Sequence, residues 1–178
     1  MADADLIAIP MNEALATTPV GRDRGSDAEP RPGNVAAAAL LAYLAAAPLV
    51  LSALAIVAWP DDYGSVAAEF MGLYGAAMIA FFGGVRWGGA VMKPAGPTMR
   101  SLVGAGAPLA LSLPLFMPWP MAERFVAIML LMVVLLLDDL SATRRGSGAP
   151  AWYLSVRVPL TVLIEIAFLV ALAAGVGV

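Results

Sequence analysis

Residues 66–92 read VAAEFMGLYGAAMIAFFGGVRWGGAVM, and this stretch decides the fold. It stays apolar for the length a helix needs to cross a bilayer, about 20 residues at about 1.5 Å rise. Small residues recur at every fourth position: Gly72, Ala76, Ala80, Gly84 and Gly88. Positions four apart share one helix face. Lipid offers helices little hydrophobic reason to associate, so close backbone approach through small residues does the packing. The row predicts a membrane-crossing helix with one tightly packed face. Arg86 stands two residues from Gly84 and Gly88, about 200° around the helix, and so is expected to point away from that face. This helix should then be contacted on two sides and sit centrally, with Ala167, Ala171 and Gly175 of the last segment as its natural partners.

Four more apolar segments surround it: Val35 to Trp59, Ser101 to Met117, Met121 to Leu137 and Leu154 to Val178. They are too long for barrel strands and lack alternation, so helices are required. The fold class expected is an all-α integral membrane protein, a bundle of five transmembrane helices over residues 35–178. Residues 1–34 are expected to be a disordered N-terminal tail, because their acids, arginines, prolines and glycines cannot bury enough apolar surface to offset ordering. The alternative is four spans plus a re-entrant third segment, suggested by Gly104, Gly106, Pro108 and Pro114.

Composition closes off many functions. The chain has 178 residues, 61% hydrophobic and 13% charged. Soluble domains run at about 45–50% and about 25%. A net charge of −3 with scattered basic residues excludes a nucleic-acid face. The absence of cysteine and histidine removes thiolate sites, imidazole ligands and histidine acid–base chemistry. No metal and no cofactor is expected. The ten methionines are dispersed and serve as adaptable packing.

Lys and Arg set the expected direction of threading. With five spans and the N-terminus inside, the inner side receives Arg22, Arg24, Arg31, Lys93, Arg100, Arg144 and Arg145, and the outer side only Arg124. Cytoplasmic loops favour these residues, so the C-terminus is expected outside. A re-entrant third segment would move Arg144 and Arg145 outward, against that bias. Asp61, Asp62, Glu69 and Glu123 then belong to a hydrated outer face.

Five ionisable residues are candidate site residues: Arg86, Asp138, Asp139, Arg157 and Glu165. Depth gathers Arg86, Asp138, Asp139 and Arg157 into an inner polar layer. Glu165 lies about 12 Å deeper than Arg157, eight residues further along. Intramembrane ionisable groups are costly unless paired. The expectation is that Asp138 or Asp139 pairs with Arg157, and that Arg86 reaches Glu165 or the same aspartates. Such a cluster fits either a proton or ion pathway or a structural ion-pair network.

The strings Tyr74-Gly75-Ala76, Phe81-Phe82-Gly83-Gly84-Val85-Arg86-Trp87-Gly88, Leu137-Asp138, Pro150-Ala151-Trp152-Tyr153 and Arg157-Val158-Pro159-Leu160-Thr161 resemble the uncharacterised family that includes mitochondrial transmembrane protein 69 and its bacterial relatives. The resemblance spans roughly residues 37 to 175. It implies a small multi-pass inner-membrane protein and transfers no catalytic residue.

The function expected is that of a non-enzymatic protein of the bacterial inner membrane, an accessory or assembly factor of a membrane complex. Its partners would be the lipid bilayer and another membrane protein or a second copy, not nucleic acid. The alternative is a small-solute or proton-coupled transporter or channel using Glu165 and Arg86.

Overall fold

A computed structural model describes residues 32–94, 96–146 and 150–175. Five helices make up the chain in this range: α1 (Pro32–Ala58), α2 (Ser65–Val91), α3 (Met99–Ser112), α4 (Met121–Arg144) and α5 (Ala151–Ala173). A π-helical turn, Pro60–Gly64, leads into α2, and a short 3-10 turn, Leu113–Phe116, extends α3. All five, with these extensions, are long and apolar enough to cross a membrane. No strand occurs among the described residues.

The expected tail falls almost entirely outside the described residues, but its boundary needs correction. Residues 32–34 belong to α1. Proline at the first helical position is pre-set for the helix and loses no bond there, so Pro32 starts the helix rather than preceding it.

The third segment is one continuous helix that tightens into a 3-10 turn at Leu113–Phe116 and does not reverse. Its start is fixed by a capping box: Thr98 Oγ1 accepts from Ser101 N, while Ser101 Oγ accepts from Thr98 N. Of the glycines and prolines that suggested a re-entrant loop, Pro108 is buried against α2, whereas Gly104, Gly106 and Pro114 lie on the outside of a helix that stays continuous. A Cβ added at Gly83 of α2 would lie 3.1 Å from the Ala105 carbonyl oxygen and 3.1 Å from Pro108 Cβ. The two backbones therefore run in close contact there, and α3 packs chiefly on α2.

α2 is the hub, in contact with α1, α3 and α4, while α5 lies against α1 and α4. Met71, Ala76, Ile79 and Phe82 of α2 are buried with Leu49 of α1, Phe125, Ile128 and Met132 of α4, and Ile164 and Phe168 of α5. At their centre Gly75 leaves room for Phe168: a Cβ there would stand 2.7 Å from Phe168 Cζ. Phe168 in turn meets Phe125 edge to face at 4.9 Å, the geometry aromatic rings prefer. Pro48 interrupts α1, and Tyr74 of α2 donates to the Ala45 carbonyl beside that break at 2.8 Å. Outward faces are strongly apolar, with Leu41, Leu51, Val66, Val103 and Leu130 all more than half exposed. An apolar surface of this extent suits lipid contact.

Candidate functional site

Charged side chains gather at the two ends of the bundle. Consecutive helices run in opposite directions, so α2 and α4 are parallel and their N-terminal ends lie together. At that end Arg124 of α4 reaches Glu69 of α2, with Nη1 donating to Oε1 at 2.9 Å. Arg124 Nη2 also donates to the Met117 carbonyl at 2.8 Å. The arginine is 2% exposed and the glutamate 51%. Gly72 makes this possible, because a Cβ there would sit 2.8 Å from Arg124 Cδ.

At the other end the polarity is reversed, with the base on α2 and the acids on α4. Arg86 Nη1 meets Asp138 Oδ2 at 2.9 Å, and its Nη2 meets Asp139 Oδ1 at 2.8 Å. Arg86 Nε also donates to Asp139 Oδ1 at 2.9 Å, and Nη2 to the Leu135 carbonyl at 2.8 Å. Arg157 of α5 enters from the far side, its Nε 3.5 Å from Asp139 Oδ2. Its guanidinium carbon lies 3.3 Å above the centre of the Phe82 ring, so the cation is held by the ring face as well as by the carboxylate. Arg157 is 1% exposed, and its Nη1 and Nη2 have no hydrogen-bond partner among the described residues. Along α2 the two ends are 17 residues apart, about 25 Å, close to the thickness of a hydrocarbon core.

Four of the five candidate polar residues thus come together: Arg86, Asp138, Asp139 and Arg157. Asp139 is the shared acid, and Arg86 takes both aspartates. Glu165 does not join them. Arg86 is turned to Asp138, Asp139 and the Leu135 carbonyl of α4, and Glu165 Oε1 is buried with no partner among the described residues. Thr161, between Arg157 and Glu165 on α5, donates to the Arg157 carbonyl at 3.0 Å.

The small-residue row divides in two. Gly72 and Ala76 are buried and Ala80 is half-buried, but Gly84 and Gly88 face open space, with no atom of a neighbouring element within 4 Å of an added Cβ. The close approaches are made instead by Gly75 and Gly83, outside the row. The row's expected partner α5 packs mainly on α1 and α4. A fourfold spacing identifies one face of a helix, whereas α2 is packed on several sides and straddles its neighbours.

Sequence reasoning missed the Glu69–Arg124 pair and the seat of Arg157 on Phe82. Glu69 and Arg124 both fall in the expected helices and at the end expected to be the outer one; what the sequence did not show is that they pair. Their equal depth on α2 and α4, mirrored by Arg86 and Asp139, was the available signal.

Residues 34–173 match the family described as "Protein of unknown function (DUF3429)", and the chain belongs to it. It is a family of unknown function, and the five apolar helices suit a membrane protein. No curated protein and no solved structure matches the chain.

Proposed function

We propose that this chain is a non-enzymatic, multi-pass protein of the bacterial inner membrane that serves as an accessory or assembly factor for a larger membrane complex. The observation that carries the reading is the open Gly84–Gly88 face of α2. Gly84 and Gly88 share a helix face and have no atom of a neighbouring element within 4 Å of an added Cβ. They flank Arg86 in sequence, towards the inner-layer end of α2. Glycines in an exposed helix weaken it by about 1 kcal/mol each relative to alanine, and in lipid their use is to let another helix approach closely. A second membrane protein fits that surface.

The proposal puts the N-terminus inside, on the distribution of charge between the two ends. Lys93, Arg100, Arg144 and Arg145 stand at the Arg86 end, and Asp61, Asp62 and Glu123 at the opposite end. We also infer kinship with mitochondrial transmembrane protein 69 and its bacterial relatives, on the resemblance of the strings around Arg86 and Arg157, and such kinship would suit this setting.

The test is isolation from native membranes in mild detergent. A defined set of partners that is lost with Gly84→Leu and Gly88→Leu, and kept with Glu165→Gln, supports the accessory role. A chain that runs alone, or partners indifferent to both leucines, overturns it. The unpartnered oxygen of Glu165 favours a second reading, proton-coupled transport. Proton flux in proteoliposomes that vanishes with Glu165→Gln would establish that reading instead.

A further inference from the structure

Glu165 is the one acid in the middle of the bundle. It lies eight residues from Ala173, the end of α5, and eight from Arg157, about 12 Å in each direction. The neighbouring helices bring no charge to its level. Val35–Ala58 of α1, Phe70–Val85 of α2, Ser101–Phe116 of α3 and its extension, and Phe125–Leu137 of α4 contain no Asp, Glu, Lys or Arg. Their titratable groups are the phenols Tyr43 and Tyr74, and Tyr74 is committed to the Ala45 carbonyl. On α5 itself the nearest charge is Arg157. Helical side chains lean toward the N-terminus, and the Arg157 guanidinium ends on Phe82 and Asp139, away from Glu165. Thr161 cannot donate to Glu165 while its hydroxyl is bonded to the Arg157 carbonyl. Glu165 Oε1 accordingly has no partner among the described residues.

An ionised carboxylate held in hydrocarbon without a partner is strongly disfavoured, whereas the neutral acid needs no counter-charge. We propose that Glu165 is a proton-binding site within the bilayer, a neutral carboxylic acid at neutral pH that reacts with a hydrophobic carbodiimide. The inference is independent of the accessory reading, which Glu165→Gln leaves intact. The side chain is only partly buried, so a lipid-soluble reagent reaches it from the flank of α5. In that reaction the carboxyl proton passes to one carbodiimide nitrogen and the carboxylate oxygen bonds to the central carbon. The acyl group then shifts from oxygen to the second nitrogen. The product is a stable N-acylurea with the mass of one added reagent molecule, and nothing leaves.

The full chain in native lipid is treated at neutral pH with dicyclohexylcarbodiimide, digested and mapped by mass spectrometry. Its infrared spectrum is recorded alongside that of Glu165→Gln. A single adduct at Glu165, and a protonated-carboxyl stretch present in the natural chain and missing from Glu165→Gln, are the expected results. A water-soluble carbodiimide should instead mark the exposed acids Asp61, Asp62 and Glu123. Identical carboxyl regions in the two proteins, or no adduct at Glu165, would overturn the proposal.

Discussion

The two ends of the α2–α4 pair solve the same problem with opposite distributions of burial. At the Glu69 end the base is buried and its acid half exposed, 2% against 51%. At the Arg86 end the central acid is partly buried, at 14% exposure, and two bases converge on it. The contrast teaches where each end is fragile. Losing a largely buried acid shared by two cations leaves both short of a partner, whereas the place of a half-exposed acid such as Glu69 is open to solvent. The reversed polarity also selects the arrangement of the helices. With α2 and α4 parallel, acid meets base at both ends. Were they antiparallel, Arg86 would face Arg124, and Glu69 would face Asp138 and Asp139. Like charges would meet twice, so the pattern disfavours that alternative as well as stabilising the observed one.

Removing the shared acid should produce the largest effect. Asp139→Asn leaves Arg86 with the exposed Asp138 and leaves Arg157 with only the Phe82 ring. Breaking a buried pair by removing one partner costs about 3 kcal/mol. Thermal unfolding in detergent followed by circular dichroism should register that loss. Asp138, 57% exposed, is a control: Asp138→Asn should cost less than about 1 kcal/mol, as solvent-facing pairs do. Equal losses for the two variants would break the idea that Asp139 is the junction.

The Glu69 end should answer more weakly. Glu69→Gln removes a half-exposed carboxylate, while Arg124 keeps the Met117 carbonyl. The loss expected is under about 1 kcal/mol once solvent screening is allowed for. It should shrink further as salt is raised, because exposed charges are screened. A loss matching that of Asp139→Asn would mean the two ends are energetically alike.

How much of this was open to reading beforehand depended on the kind of constraint. The five helices follow from apolar length alone, and Arg86, Asp138, Asp139 and Arg157 were brought together by depth, which counting residues along a helix supplies. Rotation about each helix axis was harder. Gly72, Gly84 and Gly88 share a face by spacing, yet one cradles Arg124 and the others meet open space. Gly75 and Gly83, which make the tight contacts, belong to no periodic row because their neighbours are on different helices. The sequence leaves Arg86 a choice between Glu165 and the two aspartates, and the structure takes the aspartates. Arg86 is turned to α4 by Asp138, Asp139 and the Leu135 carbonyl, and nothing in the spacing of a single chain reports which partner an arginine takes.

Small effects of opposite sign should come from two glycines on the same row of α2. In Gly72→Ala the new methyl stands 2.8 Å from Arg124 Cδ, and Arg124 is clamped by Glu69 and Met117, so it yields only by loosening those bonds. A loss of about 1 kcal/mol is expected, the lower end for overpacking. In Gly88→Ala the methyl meets nothing, and the helix gains about 0.5 kcal/mol from reduced freedom of the unfolded chain. Both are measured on monodisperse protein in the same detergent. A loss for Gly88→Ala as large as that for Gly72→Ala would mean its face is already covered in the purified protein. A second copy of the chain would then have to be its occupant, which a mass measurement of the detergent complex would reveal. The open surface at the Arg86 end would then be a site of self-association rather than a place for another membrane protein.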